Sequence, residues 1–357
     1  MLLAAALATL LAAVPPSDPC AAGSAADQLS TEIGALRREG ASLTPAKGTE
    51  SEWKQGLSLL DEAEAALKAG RAYLAFDRLA AARMLLGPLR FVSEHGDKPK
   101  EDQKRAMDAL RAELAAQSAE LSRPSSSVLP LAVRAFRDEA RVQAPVYLHT
   151  VAAWDQIDDT LGALFYGGQA RELARIAAFD AGLRFPLPPA PPKLSAAAVA
   201  DAVDVYERDL VAAYRPPVSA DKHQQFILAS AALKSARELL GTGSAEGALW
   251  NYLKARRYGA AITRAGAPTP TREALQAAPA QTVAGDGSLV CRLTQQAATL
   301  LEGDSVPEDR LRLADALLHD LLPAYQGLLS GTAAPRPAVA KAAPAQVTVT
   351  LVRWPYT

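Results

Sequence analysis

The sequence predicts an all-α protein, built from antiparallel helical hairpins in a repeat-like or bundle array and ending in one short β-strand or extended tail. Three observations carry that expectation. Ala and Leu dominate, aromatic residues make up only 6% of the chain, and β-branched runs are confined to the C-terminus. Apolar residues recur at three- and four-residue intervals along most of the length. A gapless self-match also pairs Gly70, Ala75, Ala82 and Arg83 with Gly243, Ala248, Ala255 and Arg256, a constant offset of 173 residues.

Taken in order, Met1 to Val14 form an apolar run broken by Pro15 and Pro16, with small residues at Cys20, Ala21 and Ala22. That order is the one a secretory signal peptide has, over residues 1–22, and the run is too short to span a bilayer comfortably. A buried N-terminal helix is the alternative. The next unit, a helical domain over 25–184, opens with a short helix at Leu29 to Arg38, stopped by Thr44-Pro45. Glu52 to Ala69 and Ala72 to Phe91 follow as two helices meeting at Gly70, and a charged loop at Gly96 to Pro99 leads into a helix at Glu101 to Leu121. Pro124 and a serine run end it. Further helices are expected at Leu129 to Val142, Tyr147 to Tyr166 and Gln169 to Gly182.

Five prolines between Phe185 and Lys193 forbid helix and mark residues 185–194 as a linker. A second helical domain, 195–331, holds helices at Ala196 to Tyr214, Ala220 to Leu240 and Ala245 to Arg264, with a break at Pro216-Pro217. Beyond these lie a short helix at Thr271 to Ala278, an Asp286-Gly287 turn, and helices at Leu289 to Leu301 and Pro307 to Leu329. Residues 332–346 are an Ala/Pro tether with too little apolar bulk to pack. In the tail, 347–357, Val347, Val349 and Leu351 alternate with Thr348, Thr350 and Val352 before Trp354 and Tyr356, which is a strand signal.

The duplication extends to Trp53 with Phe226, Leu60 with Leu233, Ala63 with Ala236 and Leu67 with Leu240. The glycines sit where a tight interhelical turn wants no Cβ, and the alanines seven apart give the next helix a small-residue face for close approach. Leu79 and Tyr252 add bulk to that face. These residues resemble the second half of a tetratricopeptide repeat: a turn glycine, a small residue five later and an alanine seven after that. A third window, Leu161-Gly162, Phe165, Ala174, Ala181 and Pro186, is similar to the same motif in a different frame. The windows depart from the family in not being stacked at its tandem period of about 34 residues, so a looser α/α array fits as well as a superhelix.

A formal net charge of -1 removes the positive field that nucleic-acid binding needs. The four histidines, His95, His149, His223 and His319, have no metal-ligand spacing, and neither a Gly-x-Ser-x-Gly elbow nor a Walker loop occurs. The glycines at 241, 243 and 247 follow a helix rather than a strand and read as a turn. No cofactor and no metal are expected. The weak exception is Asp155, Asp158 and Asp159, whose i, i+3, i+4 spacing puts three carboxylates on one side of a helix, as a magnesium-diphosphate site or an ordinary solvated face would have them. Asp201, Asp204 and Glu207 form a second acidic ladder near a helix start.

The residues expected to bind a partner are Arg83 and Arg256, matched by the duplication; Trp250, Arg257 and Tyr258, which share one helix with Tyr252 and Lys254; and Trp354 and Tyr356 in the tail. Long arginines also snorkel over hairpin seams, and aromatic residues also fill cores, as expected of Trp53 and Trp154. Cys20 and Cys291 form one bridge in an oxidising compartment, or Cys20 leaves with the leader and Cys291 is a core residue. The leading expectation is a non-catalytic scaffold, periplasmic or secreted, that binds a protein or peptide partner in the cell envelope, with no nucleic acid and no transmembrane span. The alternatives are an all-α enzyme or small-ligand protein using the acidic faces, and a structural protein held in the envelope by an uncleaved N-terminus.

Overall fold

A computed structural model describes residues 20–121, 129–156, 159–186, 194–216, 218–277 and 286–330. Among them every regular element is helical, and none of the helices is long and apolar enough to cross a membrane. In chain order these are α1 (Ala25–Ser42), α2 (Glu50–Lys68), α3 (Ala72–His95), α4 (Lys100–Leu121), α5 (Leu131–Gln156) and α6 (Thr160–Gly182). Then come α7 (Ala196–Ala213), a 3-10 turn (Ala220–Lys222), α8 (His223–Gly241), α9 (Ala245–Thr263), α10 (Arg272–Gln276), α11 (Ser288–Leu300), α12 (Glu308–Ala316), a π-turn (Leu317–Leu321) and α13 (Leu322–Ser330).

The duplication is structural. α2 and α3 pack as one hairpin and α8 and α9 as another. Gly70 and Gly243 take φ of +73° and +79°, the left-handed conformation that a helix C-terminus uses to turn back. Their N–H groups donate to the carbonyls of Leu67 and Leu240, both at 3.0 Å. One residue on, the N–H groups of Arg71 and Ser244 donate to Ala66 and Leu239 at 2.8 and 2.9 Å. Donors and acceptors alike occupy equivalent positions of the repeat. The small-residue faces are equally alike: Leu60 and Leu233, Ala63 and Ala236, Ala75 and Ala248, and Ala82 and Ala255 are all fully shielded from solvent.

A third hairpin, α5 with α6, stands between these two, α6 against α3 and α5 against α9. Its boundaries differ from those the sequence suggests. α5 runs straight through Pro145, because Ala140, Ala144 and Val151 keep its buried stripe in register and that packing outweighs one lost backbone hydrogen bond. α6 runs through Gly167-Gly168, which marks a crossing and not a break: a Cβ at Gly168 would lie 2.7 Å from Pro88 Cα and 3.1 Å from Phe91 Cβ of α3. The window from Leu161 to Ala181 therefore lies on one continuous helix, without the turn that its tetratricopeptide-like frame requires. The expected helix from Pro307 to Leu329 is interrupted at Leu317–Leu321, just ahead of Pro323, which has no N–H to offer the preceding turn.

The largest buried cluster draws on α1, α2, α3, α5, α7, α8, α9, α11 and the π-turn, so helices from both sides of the proline-rich segment share one core. Phe185, at the start of that segment, stacks on Tyr73 with ring centroids 4.5 Å apart. The N-terminal end is docked as well. Cys20 is joined to Cys291 of α11, with Cα atoms 5.4 Å apart. Gln28 donates to the carbonyl of Gly182 and accepts from the N–H of Arg184, at 2.8 and 2.9 Å. A leader ending after Ala22 would carry Cys20 away with it. The apolar run before Pro15, the tail strand expected at 347–357, and Trp354 and Tyr356 lie outside the described residues.

Candidate binding cleft

α3 and α9, the second helices of the two related hairpins, turn equivalent faces toward a common cleft. Asp77, Arg78, Ala80, Ala81 and Met84 line it from α3, and Trp250, Asn251, Leu253, Lys254 and Arg257 line it from α9. Each residue in the first set is the repeat partner of the corresponding one in the second. The cleft has a volume of about 470 Å³. Phe136, Ala140 and Tyr147 of α5 and Leu228 and Ala231 of α8 form its other walls, and Leu293, Leu317 and Leu321 contribute from α11 and the π-turn. An adjoining chamber of about 400 Å³, bounded by α2 and α11, shares Arg78, Gln296, Leu317 and Arg257 with it. Arg257 also lines a third recess of about 380 Å³ beside α12.

The charges around this junction are unequally matched. Arg292, fully buried on α11, donates to Asp77 and lies over the Trp250 ring, its guanidinium carbon 3.6 Å from the centroid. Gln296 donates a second hydrogen bond to Asp77 at 2.8 Å. Burial pushes the Asp77 carboxyl upward, but Arg292, Arg78 and Arg257 outweigh it and hold the group below its usual range. Arg78 pairs with Glu62 at 2.8 Å, and Lys254 reaches both oxygens of Glu139 at 2.6 and 2.8 Å. Arg257 makes no hydrogen bond or ion pair with any described residue. Three guanidinium groups, those of Arg292, Arg78 and Arg257, thus stand near Asp77, and Glu62 meets Arg78 from the adjoining chamber.

The structure gathers three of the residues expected from sequence, Trp250, Arg257 and Tyr258, along this cleft. It puts the two matched arginines elsewhere. Arg256 is 2% exposed, bound to Asp320 of the π-turn and donating to the Tyr252 hydroxyl at 2.6 Å. Arg83 is bound to Glu32 of α1 and, at 3.3 Å, to Glu172 of α6. Both are internal struts that fix a repeat helix to its neighbours, so neither offers a guanidinium to a partner. The first acidic ladder is divided: α5 ends at Gln156, and Asp159 caps the next helix by accepting from the Gly162 N–H at 2.9 Å. Asp158 and the Asp155 side chain lie outside the described residues. In the second ladder, Asp204 and Glu207 bind Arg237 of α8 at 2.8 and 3.0 Å, which ties α7 to the hairpin.

Sequence reasoning missed Asp77, Arg78, Glu139 and Arg292. The repeat offset itself was the available signal for the first two, since it maps Asp77 onto Trp250 and Arg78 onto Asn251. Chemically the cleft offers apolar and aromatic walls, amide and hydroxyl groups at Gln143, Ser235, Asn251 and Gln296, and one guanidinium with no hydrogen-bond or ion-pair partner among the described residues. No family model, curated protein or solved structure matches the chain.

Proposed function

We propose that the protein is a non-catalytic, exported helical scaffold that binds a peptide segment of a partner protein in the cleft between its two related hairpins. The observation that carries this reading is the shared lining: equivalent faces of α3 and α9 converge on one cavity whose lining includes aromatic rings, amides and an arginine with no ion pair among the described residues. An extended peptide presents apolar side chains, backbone amides and carbonyls together, and such a lining can satisfy all three. Export is supported by the apolar run at Met1 to Val14 and by the Cys20–Cys291 bridge, which an oxidising compartment preserves. On this reading the leader is removed ahead of Cys20, and the mass of the mature N-terminus tests it.

The binding reading is tested by selecting peptides from a random displayed library on the intact protein, then measuring the same peptides against Ala81→Trp and Ala231→Trp. Both alanines line the cleft without being core residues, so an indole at either position fills the space and leaves the helices in place. Loss of binding in both variants is expected. Peptides that bind the variants as well as the wild type would move the function off the cleft.

A further inference from the structure

We infer that the cleft recognises the C-terminal end of its peptide, holding the free carboxylate on Arg257 and the last apolar side chain among Trp250, Tyr258 and Leu228. This deepens the binding reading above and rests on it. A partly buried cation without a partner costs stability, and a ligand carboxylate that pairs with it recovers that cost. The other cations of the cleft already have their acceptors: Arg78 has Glu62, Lys254 has Glu139 and Arg292 has Asp77. Arg257 has none among the described residues, and where the two chambers meet Arg257, Arg292 and Arg78 exceed Asp77 and Glu62 by one positive charge. A single carboxylate matches that excess, and a planar guanidinium takes it through two parallel hydrogen bonds.

The two chambers that meet at Arg257 point to a chain end over a mid-chain Asp or Glu. On the side of Trp250 and Tyr258 the cleft is the more apolar, with Phe136, Tyr147, Leu228 and Leu293 among its walls beside the paired Lys254 and Glu139, and it suits an apolar residue. On the far side the chamber is ringed by Arg71, Arg78, Arg310, Glu62 and Glu302, already engaged with one another or with Thr299. Its remaining lining is mostly small, with Ala65, Ala66 and Ala69, so an apolar chain gains less by continuing there among the charged pairs than by ending in the first chamber. A peptide that stops at the junction puts its carboxylate on Arg257 and keeps its side chains in the apolar chamber.

The test uses two pools of fluorescein-labelled hexapeptides, random except for Leu, Ile, Val or Phe at the last position, one pool ending in a free carboxylate and the other in a carboxamide. Binding is read by anisotropy on the full-length protein, with Arg257→Gln, Arg257→Lys, Ala231→Trp and a labelled dodecanoate as a further probe. The acid pool is expected to bind about tenfold tighter than the amide pool, the strength of a charge-assisted hydrogen bond. Arg257→Gln should abolish that preference at unchanged melting temperature, Arg257→Lys should keep part of it, and Ala231→Trp should remove binding of both pools. Equal binding of the two pools by the wild type, still sensitive to Ala231→Trp, would overturn the carboxylate inference and leave the peptide cleft standing. Binding of neither pool would overturn both, and tighter capture of dodecanoate than of either pool would reject the peptide in favour of an amphiphile.

Discussion

The two related hairpins agree where they fold and differ where they face the cleft. Their turns use the same left-handed glycine and the same pair of backbone hydrogen bonds, and their buried alanines and leucines coincide residue for residue. Of the five matched positions that line the cleft, none carries the same residue twice: Asp77 is matched by Trp250, Arg78 by Asn251, Ala80 by Leu253, Ala81 by Lys254 and Met84 by Arg257. One scaffold has thus been kept and its cleft-lining faces made dissimilar. A cleft between two unlike walls can orient a ligand that has two unlike ends, which a symmetric one could not.

The matched arginines give the sharpest contrast inside the fold. Arg256 and Asp320 are both nearly inaccessible and are paired with each other, with the Tyr252 hydroxyl as a further acceptor for Arg256, so Arg256→Ala strips a buried carboxylate of its ion-pair partner and should cost about 3–5 kcal/mol. Equilibrium urea unfolding measures it, and the double variant Arg256→Met with Asp320→Leu should recover most of the loss. Arg83→Ala is expected to cost less, about 1–3 kcal/mol. Glu172 keeps Arg175 at 2.9 Å when Arg83 is gone, and Glu32, 23% exposed, can be rehydrated. Equal losses for the two would mean that the struts are interchangeable and that the difference in burial counts for nothing.

At the turns the hairpins should be indistinguishable. A Cβ on Gly70 or Gly243 meets no atom within 4 Å, so an alanine at either site suffers only from the left-handed backbone, about 1–2 kcal/mol. Thermal melts of Gly70→Ala and Gly243→Ala should agree within a few tenths of a kcal/mol. A clear inequality would show that one hairpin unfolds before the other and would break the equivalence on which the comparison rests.

The same division governs what the sequence reveals. Turn glycines, alanine faces and leucine stripes are local patterns, and a fixed offset exposes them; the hairpins at α2/α3 and α8/α9 were legible for that reason. Gly167-Gly168 and Pro145 are local as well but ambiguous, because a glycine pair serves a break or a close crossing equally, and only the position of Pro88 on α3 decides which. The struts were illegible. Arg83 finds its acids 51 and 89 positions away and Arg256 finds Asp320 64 positions away, and no spacing rule connects them. Of two adjacent arginines on α9, sequence could not tell which is buried and which is free.

That pair supplies the smallest and most discriminating effect. Arg257 has no hydrogen bond or ion pair among the described residues to lose, and its longer-range attraction to Asp77 is offset by the like charge of Arg292. Arg257→Gln should therefore leave stability within about 0.5 kcal/mol of wild type, or raise it slightly, as surface changes away from packed features do. The neighbouring Arg256→Gln, with Asp320 still buried beneath it, should destabilise severely in the same urea titration. A residue that costs nothing to remove and occupies the junction of three recesses is not there for the fold, and a large destabilisation by Arg257→Gln would instead make it a third strut and leave the cleft without its anchor.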